Sequence, residues 1–305
     1  MYYKYQLISD IIDSIDAVDD LHFHINLREN MYFIIGGCYF NIKKNHDHTF
    51  IMSDRLEISC FLHNKNNNEA KEKLQQALEF FIFLTGTPYD TKGQISETTE
   101  NSLPLIDINQ SKKKMIQIQN IENAYQRIRT KKNLLVNSLH LFSMGTKLNF
   151  LFDETNCEDA FFTLFKIIEN IVKDDFSIEK NNINRNQSLT HEYVNTIITS
   201  TYGIQTTSER LQEISGIIDN TIFESVFDNI YHKIIWFAHN HNITVDSNIL
   251  SKIVAMRNQI AHGDSIKFET CIHEYKYTIS LCRKIIQAKF FNLSMPIIEA
   301  QIIVL

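Results

Sequence analysis

The chain has 305 residues, 44% of them hydrophobic, with 8 glycines, 3 prolines and a formal net charge of -6. That length and apolar fraction suffice for a full core and for two domains, or one with a sizeable extension, while so few Gly and Pro exclude a loop-rich sandwich and a disordered chain. Residues 1–130 carry 14 basic and 17 acidic side chains and residues 131–305 carry 16 and 19, which excludes a broad basic surface for non-specific nucleic-acid binding but leaves room for a local basic cleft assembled in a dimer.

At the N-terminus, Met1-Tyr2-Tyr3-Lys4-Tyr5 is followed by Asp10, Asp13 and Asp16 rather than an apolar stretch, so no signal peptide is expected. No segment approaches the eighteen or so consecutive apolar residues of a membrane span. Two runs rich in β-branched and aromatic residues come next, Tyr32 to Phe40 and Leu56 to Leu62, and predict a small sheet. Lys43 to His48 reads as a hairpin loop, and Gly36-Gly37 as a bulge or a close backbone approach. A helix is predicted over 69–85, stopped by Gly86 and Pro88.

From Pro88 to about Lys114 the chain is polar and aperiodic, which predicts a linker. The domain reading is thus an α+β domain over 1–90, a polar linker over 91–114 and a helical domain over 115–305. Within the last, apolar periodicity predicts helices near 117–148, 156–174, 189–201, 207–218, 221–240, 247–262 and 268–290. Thr155 with Glu158, and Thr221 with Glu224, have the spacing of capping boxes. The expected class is mostly α.

Cys38, Cys60, Cys157, Cys271 and Cys282 are odd in number, widely spaced and without a Cys-x-x-Cys pair, so buried free thiols in a reducing cytoplasm are expected rather than disulfides or a zinc knuckle. His46-Asp47-His48 and His239-Asn240-His241 place alternate histidines, which share a face only on a strand, and no third ligand is evident. Neither a metal nor a cofactor is expected. No phosphate-binding glycine loop, Walker sequence or nucleophile elbow is present, which removes ATP-driven and serine-hydrolase readings.

The segment with chemical content is Arg257-Asn258-Gln259-Ile260-Ala261-His262-Gly263. Ile249, Leu250, Ile253, Val254 and Ile260 recur at spacings of three and four upstream and within it, which places the motif at the end of an amphipathic helix, with Gly263 as the left-handed cap. A second Arg-to-His spacing, Arg185 to His191, lies in an Asn-rich stretch without periodicity and reads as a loop. Histidine exchanges protons near neutral pH, and arginine makes forked contacts to phosphate. Asn258 and His262, four apart, share a helical face, whereas Arg257 and His262, five apart, diverge by roughly 140°. A functional pair therefore needs either a helix that ends before His262 or two subunits meeting at a two-fold axis.

This segment resembles the active-site signature of the HEPN superfamily of ribonucleases, and the helical region from about 117 to 290 is similar in layout. Phe161 to Glu169 looks like the early helix of its abortive-infection (ApeA-like) branch, in which an apolar run carries a glutamate. The resemblance implies an antiparallel helical bundle, Arg257 and His262 as the catalytic pair, Asn258 as the polar residue after the arginine, and Glu169 as a supporting carboxylate. It further implies metal-independent endoribonuclease chemistry, in which a 2′-hydroxyl attacks the adjacent phosphate, by a cytoplasmic homodimer with a composite cleft. Single-stranded or loop RNA, tRNA anticodon loops included, would be the substrate, and the role that of an antiviral or toxin effector with an N-terminal sensor or regulator and a possible antitoxin partner.

Alternative readings come from the same residues. Arg257 and His262 also suit a surface arginine and a histidine set against a helix dipole, and a HEPN fold also serves as a non-catalytic RNA- or protein-binding dimeric module. Lys112-Lys113-Lys114 and Arg127 to Lys132 suit either a phosphate guide or a solvated helix face. His273, Tyr275 and Tyr277 suit either base stacking or ordinary packing.

Overall fold

The computed structural model describes residues 1–11, 31–43, 55–85, 89–104, 125–126, 133–149, 154–180, 187–205, 207–266 and 268–291. These hold five strands and eight helices: β1 Tyr2–Ile11, β2 Met31–Ile35, β3 Cys38–Lys43, β4 Arg55–Leu62, α1 Asn67–Thr85, β5 Tyr89–Glu100, α2 Leu134–Asn149, α3 Glu154–Glu179, α4 Gln187–Tyr202, α5 Ser208–Asp228, α6 Ile230–Asn240, α7 Ser247–Ala261 and α8 Phe268–Phe291. The protein is mostly α with a small antiparallel sheet. It divides into two compact units, one of residues 1–168 with 255–305 and one of residues 169–254.

The first unit contains the sheet, ordered β2-β3-β4-β1-β5 with antiparallel pairing throughout. Alternation along β4 sends Leu56, Ile58, Cys60 and Leu62 inward, and β1 and β3 contribute Tyr5, Leu7, Cys38 and Phe40. Helix α1 packs on β4, β1 and β3 and buries Ala70, Leu74, Ala77, Leu78 and Phe81. Asn66 starts that helix: its Oδ1 accepts the Glu69 N–H at 3.1 Å, while its own N–H donates to the Tyr5 hydroxyl at 3.0 Å, binding the helix start to β1. The other side of α1 packs on α2, and α2 on α8, around rings of Phe80, Phe83, Phe142 and Phe291.

Several expectations need correction. The run from Tyr32 to Phe40 is two strands joined by Gly36-Gly37, whose φ of 60° and 76° are the left-handed values of a tight two-residue hairpin. Gly36 is also a close approach, since an added Cβ would overlap the Tyr125 ring. Residues 91–100 of the expected linker belong to β5, paired with β1. Neither strand announced itself: β5 is polar and exposed over residues 96–99, as an edge strand protected from further pairing often is, and β1 opens with tyrosines at 2, 3 and 5, on both faces of the pleat.

The two expected capping boxes are absent. Thr155 is the second residue of α3 and its expected partner Glu158 accepts the Ile266 N–H instead; Thr221 lies inside α5, where its hydroxyl donates to the Ile217 carbonyl at 2.8 Å. Helix α5 continues through 219–220 and breaks at Asn229. Besides Asn66, the described residues show caps at Thr207, Asn229 and Asp246, which accept from the Arg210, Tyr231 and Asn248 amides. The expected loop over 44–48, the stop at Gly86 and Pro88, and the expected helix over 117–132, apart from the helical pair Tyr125 and Gln126, lie outside the described residues.

In the second unit α4 packs on α5 and α5 on α6. Its aromatic cluster sets Phe176 against Phe223, Phe227 and Trp236, with the Lys233 ammonium 5.4 Å from the Phe176 ring centre. Four of the five cysteines are buried and all five are free thiols. Among the described residues no helix is long and apolar enough to cross a membrane.

Candidate functional site

The motif sits at the end of α7. Of the face its periodicity predicted, the helix buries Leu250, Ile253 and Val254 and half-buries Ile249 and Ile260; Met256 is buried as well, and beyond it the chain emerges: Arg257 is half-buried, and Asn258, Gln259, Ala261, His262, Gly263, Asp264 and Ser265 are exposed. The helix ends in a defined way. Asp264 N–H donates to the Gln259 carbonyl and Gly263 N–H to the Ile260 carbonyl, both at 3.0 Å, with Gly263 at φ 86°. This is a Schellman cap with His262 as the C-cap residue and Gly263 as the left-handed residue after it.

The cap decides the geometry of the pair. His262 N–H still donates to the Asn258 carbonyl at 3.0 Å, so the backbone keeps helical spacing up to His262 and turns away only at Gly263. Arg257 and His262 therefore remain five helical positions apart and point in directions that differ by roughly 140°. Arg257 Nη1 instead donates to Asn258 Oδ1 at 3.2 Å. The chain brings Arg257 next to Asn258 and leaves His262 at an exposed helix end.

Beyond the cap the chain is anchored by a residue that sequence reasoning assigned elsewhere. Glu158, expected to cap α3, accepts the Ile266 N–H at 2.6 Å; a carboxylate oxygen makes such a bond stronger than a neutral acceptor would. Helix α8 is then held against α2 and α3: Tyr275 hydroxyl donates to the Gly145 carbonyl at 3.5 Å and Cys282 Sγ to the Leu164 carbonyl at 3.0 Å. Gly145 allows α2 and α3 to approach, since an added Cβ would come within 2.8 Å of Leu164.

Burial pushes the Tyr275 phenol well up, with Cys157 and Cys282 adding to the effect, and pushes the Cys282 thiol up as well. Tyr275 is thus a core residue and not a stacking platform. His273 is exposed and Tyr277 half-buried. Glu169 belongs to the other unit and pairs with Lys173 at 3.7 Å.

Of the second Arg-to-His spacing, Arg185 lies outside the described residues, and His191 is in the early turns of α4 rather than at a helix end. His241 Nε2 lies 3.1 Å from Asp175 Oδ2 and its ring 4.1 Å from that of Phe237, while His239 is exposed. Among the described residues no group of three or more His, Cys, Asp or Glu is placed to hold a metal. His46 to His48, Lys112 to Lys114 and 127–132 lie outside the described residues. Two carboxylate–imidazole pairs had no sequence signal, because their partners are far apart in the chain: Glu79 with His140 at 2.7 Å and Asp175 with His241. Comparisons with family models, curated proteins and solved structures give no match.

Proposed function

We propose that this protein is a metal-independent endoribonuclease of HEPN type, acting as a homodimer and serving as an antiviral or toxin-like effector. The observation that carries the reading is the exposed end of α7, where Arg257, Asn258 and His262 stand within one and a half turns ahead of a Schellman cap. Helical spacing separates Arg257 from His262 within a chain, so the site draws Arg257 from one protomer and His262 from its partner across a two-fold axis.

In that site His262 removes the proton of a 2′-hydroxyl, the oxygen attacks the adjacent phosphorus, and the P–O5′ bond breaks to leave a cyclic phosphate. The imidazolium so formed returns the proton to the departing 5′-oxygen. Arg257, always charged and planar, stabilises the additional negative charge on the phosphoryl oxygens. Asn258 orients the guanidinium through the contact it already makes. Loop RNA, tRNA anticodon loops included, is the preferred substrate, because unstacked bases and free 2′-hydroxyls are accessible there and the chain has no broad basic surface to hold a duplex.

The test is incubation of the purified protein with total tRNA and with a long single-stranded RNA in EDTA, with fragment ends mapped. Fragments ending in cyclic phosphate, made by wild type and not by His262→Ala, are expected. No cleavage by wild type, with or without cell extract, would favour a non-catalytic binding module.

A further inference from the structure

The chain just past the motif is fixed to α3: the Ile266 N–H, four residues beyond His262, donates to Glu158 at 2.6 Å. Phe162 follows Glu158 by four residues and Lys166 follows Phe162 by four, so the three lie on one side of α3, turned by about 40° at each step, with Phe162 about 6 Å along the axis from Glu158. Phe162 is 37% exposed, while Phe161, Leu164 and Phe165 beside it are buried, so its ring stands outside the core. Among the described residues, the other exposed large apolar side chains of this unit are Met1, Leu103 and Met144, none of them aromatic. The exposed charges nearest this line on α3 are Asp159 and Lys166, one of each sign.

We propose that Phe162 is a stacking platform for an unpaired RNA base close to the scissile phosphate, an inference that rests on the nuclease reading. A benzene ring offers a flat face that any base can cover, and a ring standing in solvent within a helical turn of the segment anchored behind His262 meets the base of a nucleotide near the cleaved bond. The contact is with a base rather than a phosphate, because Asp159 and Lys166 offset one another. It therefore selects single strands and loops: in a duplex the base faces are already covered by their neighbours. A protein partner would be served equally well by any apolar side chain of similar size at this position, whereas a base requires a flat ring, so leucine and tryptophan at position 162 separate the two occupants.

The probe is a fluorescein-labelled single-stranded RNA with 2′-O-methyl sugars, which lacks the attacking hydroxyl, so that anisotropy measures binding apart from cleavage. Wild type is expected to bind it, Phe162→Ala and Phe162→Leu to bind about tenfold more weakly, and Phe162→Trp to bind at least as tightly, with the added indole emission quenched by RNA. Annealing the probe to its complement should abolish the difference between wild type and Phe162→Ala. The side chain is exposed, so unchanged thermal unfolding of the variants is expected to show an intact fold. Equal binding by wild type and Phe162→Ala, or a leucine variant as good as wild type, would overturn the stacking site; if Phe162→Ala then still cut tRNA, the nuclease reading would stand without it. Binding that depends on a ring at 162, in a protein that leaves tRNA uncut, would support the stacking contact and sink the nuclease. A wild type that binds no single-stranded RNA would overturn both.

Discussion

Replacing His262 with alanine removes an exposed side chain from a helix cap and leaves the cap's backbone bonds in place. Unfolding by urea should therefore be almost unchanged, while RNA cleavage falls by about 10²- to 10⁴-fold, the usual contribution of a positioned proton-transfer group. Arg257→Lys should be nearly as damaging, because an ammonium cannot make the forked phosphate contact. The cap itself was legible: a glycine after a run of helical periodicity is a strong stop signal, and Gly263 has the φ of 86° that the signal implies. What the sequence did not show is how Arg257 is oriented, since its contact with Asn258 depends on rotamers that spacing leaves open. Thiol chemistry belongs at this scale too. Burial raises the Cys60 thiol from its ordinary 9.0 to about 11, so the folded state holds a proton that the unfolded state loses. The stability this provides is present below pH 9 and is lost as pH rises toward 11. Alkylation at mildly alkaline pH, followed by mass spectrometry, should label half-exposed Cys271 well before Cys60 or Cys282.

Among the elements, helices were easier to read than strands, for a physical reason. A helix that buries one face must repeat at three and four residues, and α3, α7 and α8 do; β1 and β5 are selected by pairing with strands distant in sequence, and a polar edge strand has no obligatory pattern. The Thr221 capping box failed because the hydroxyl-carboxylate spacing also fits a helix interior, where a threonine satisfies itself against the preceding turn, and the Thr155 one because Glu158 accepts the Ile266 amide. The Gly36-Gly37 hairpin offers a direct comparison. Both glycines have positive φ, but only at Gly36 would a Cβ meet the Tyr125 ring, with open space around Gly37. Gly37→Ala should cost about 1 kcal/mol for backbone strain, and Gly36→Ala about 3 kcal/mol once the overlap is added; urea midpoints of the two variants measure the difference. Glu158→Gln keeps a weaker, neutral acceptor for the Ile266 amide while Glu158→Ala removes it, so the alanine variant should lower stability the more, by about 1 kcal/mol, and with it the cleavage rate.

For the whole molecule, composition gave the class correctly and the organisation only in part. Mostly helical structure with a small sheet follows from few Gly and Pro and from long periodic segments. The two compact units, however, divide inside α3 and α7, where no linker composition marks the boundary, because a continuous helix can serve both. Helical spacing at the end of α7 separates Arg257 from His262 in one chain, and the proposed homodimer would unite them. The direct test is cleavage of tRNA in EDTA by Arg257→Ala, by His262→Ala, and by the two coexpressed and purified as a mixed dimer. Each variant alone should be inactive and the mixture active, because one of its two sites then holds an intact Arg257 from one protomer and an intact His262 from the other. A mixture no more active than its parents, or cleavage that survives in either parent, would contradict the account.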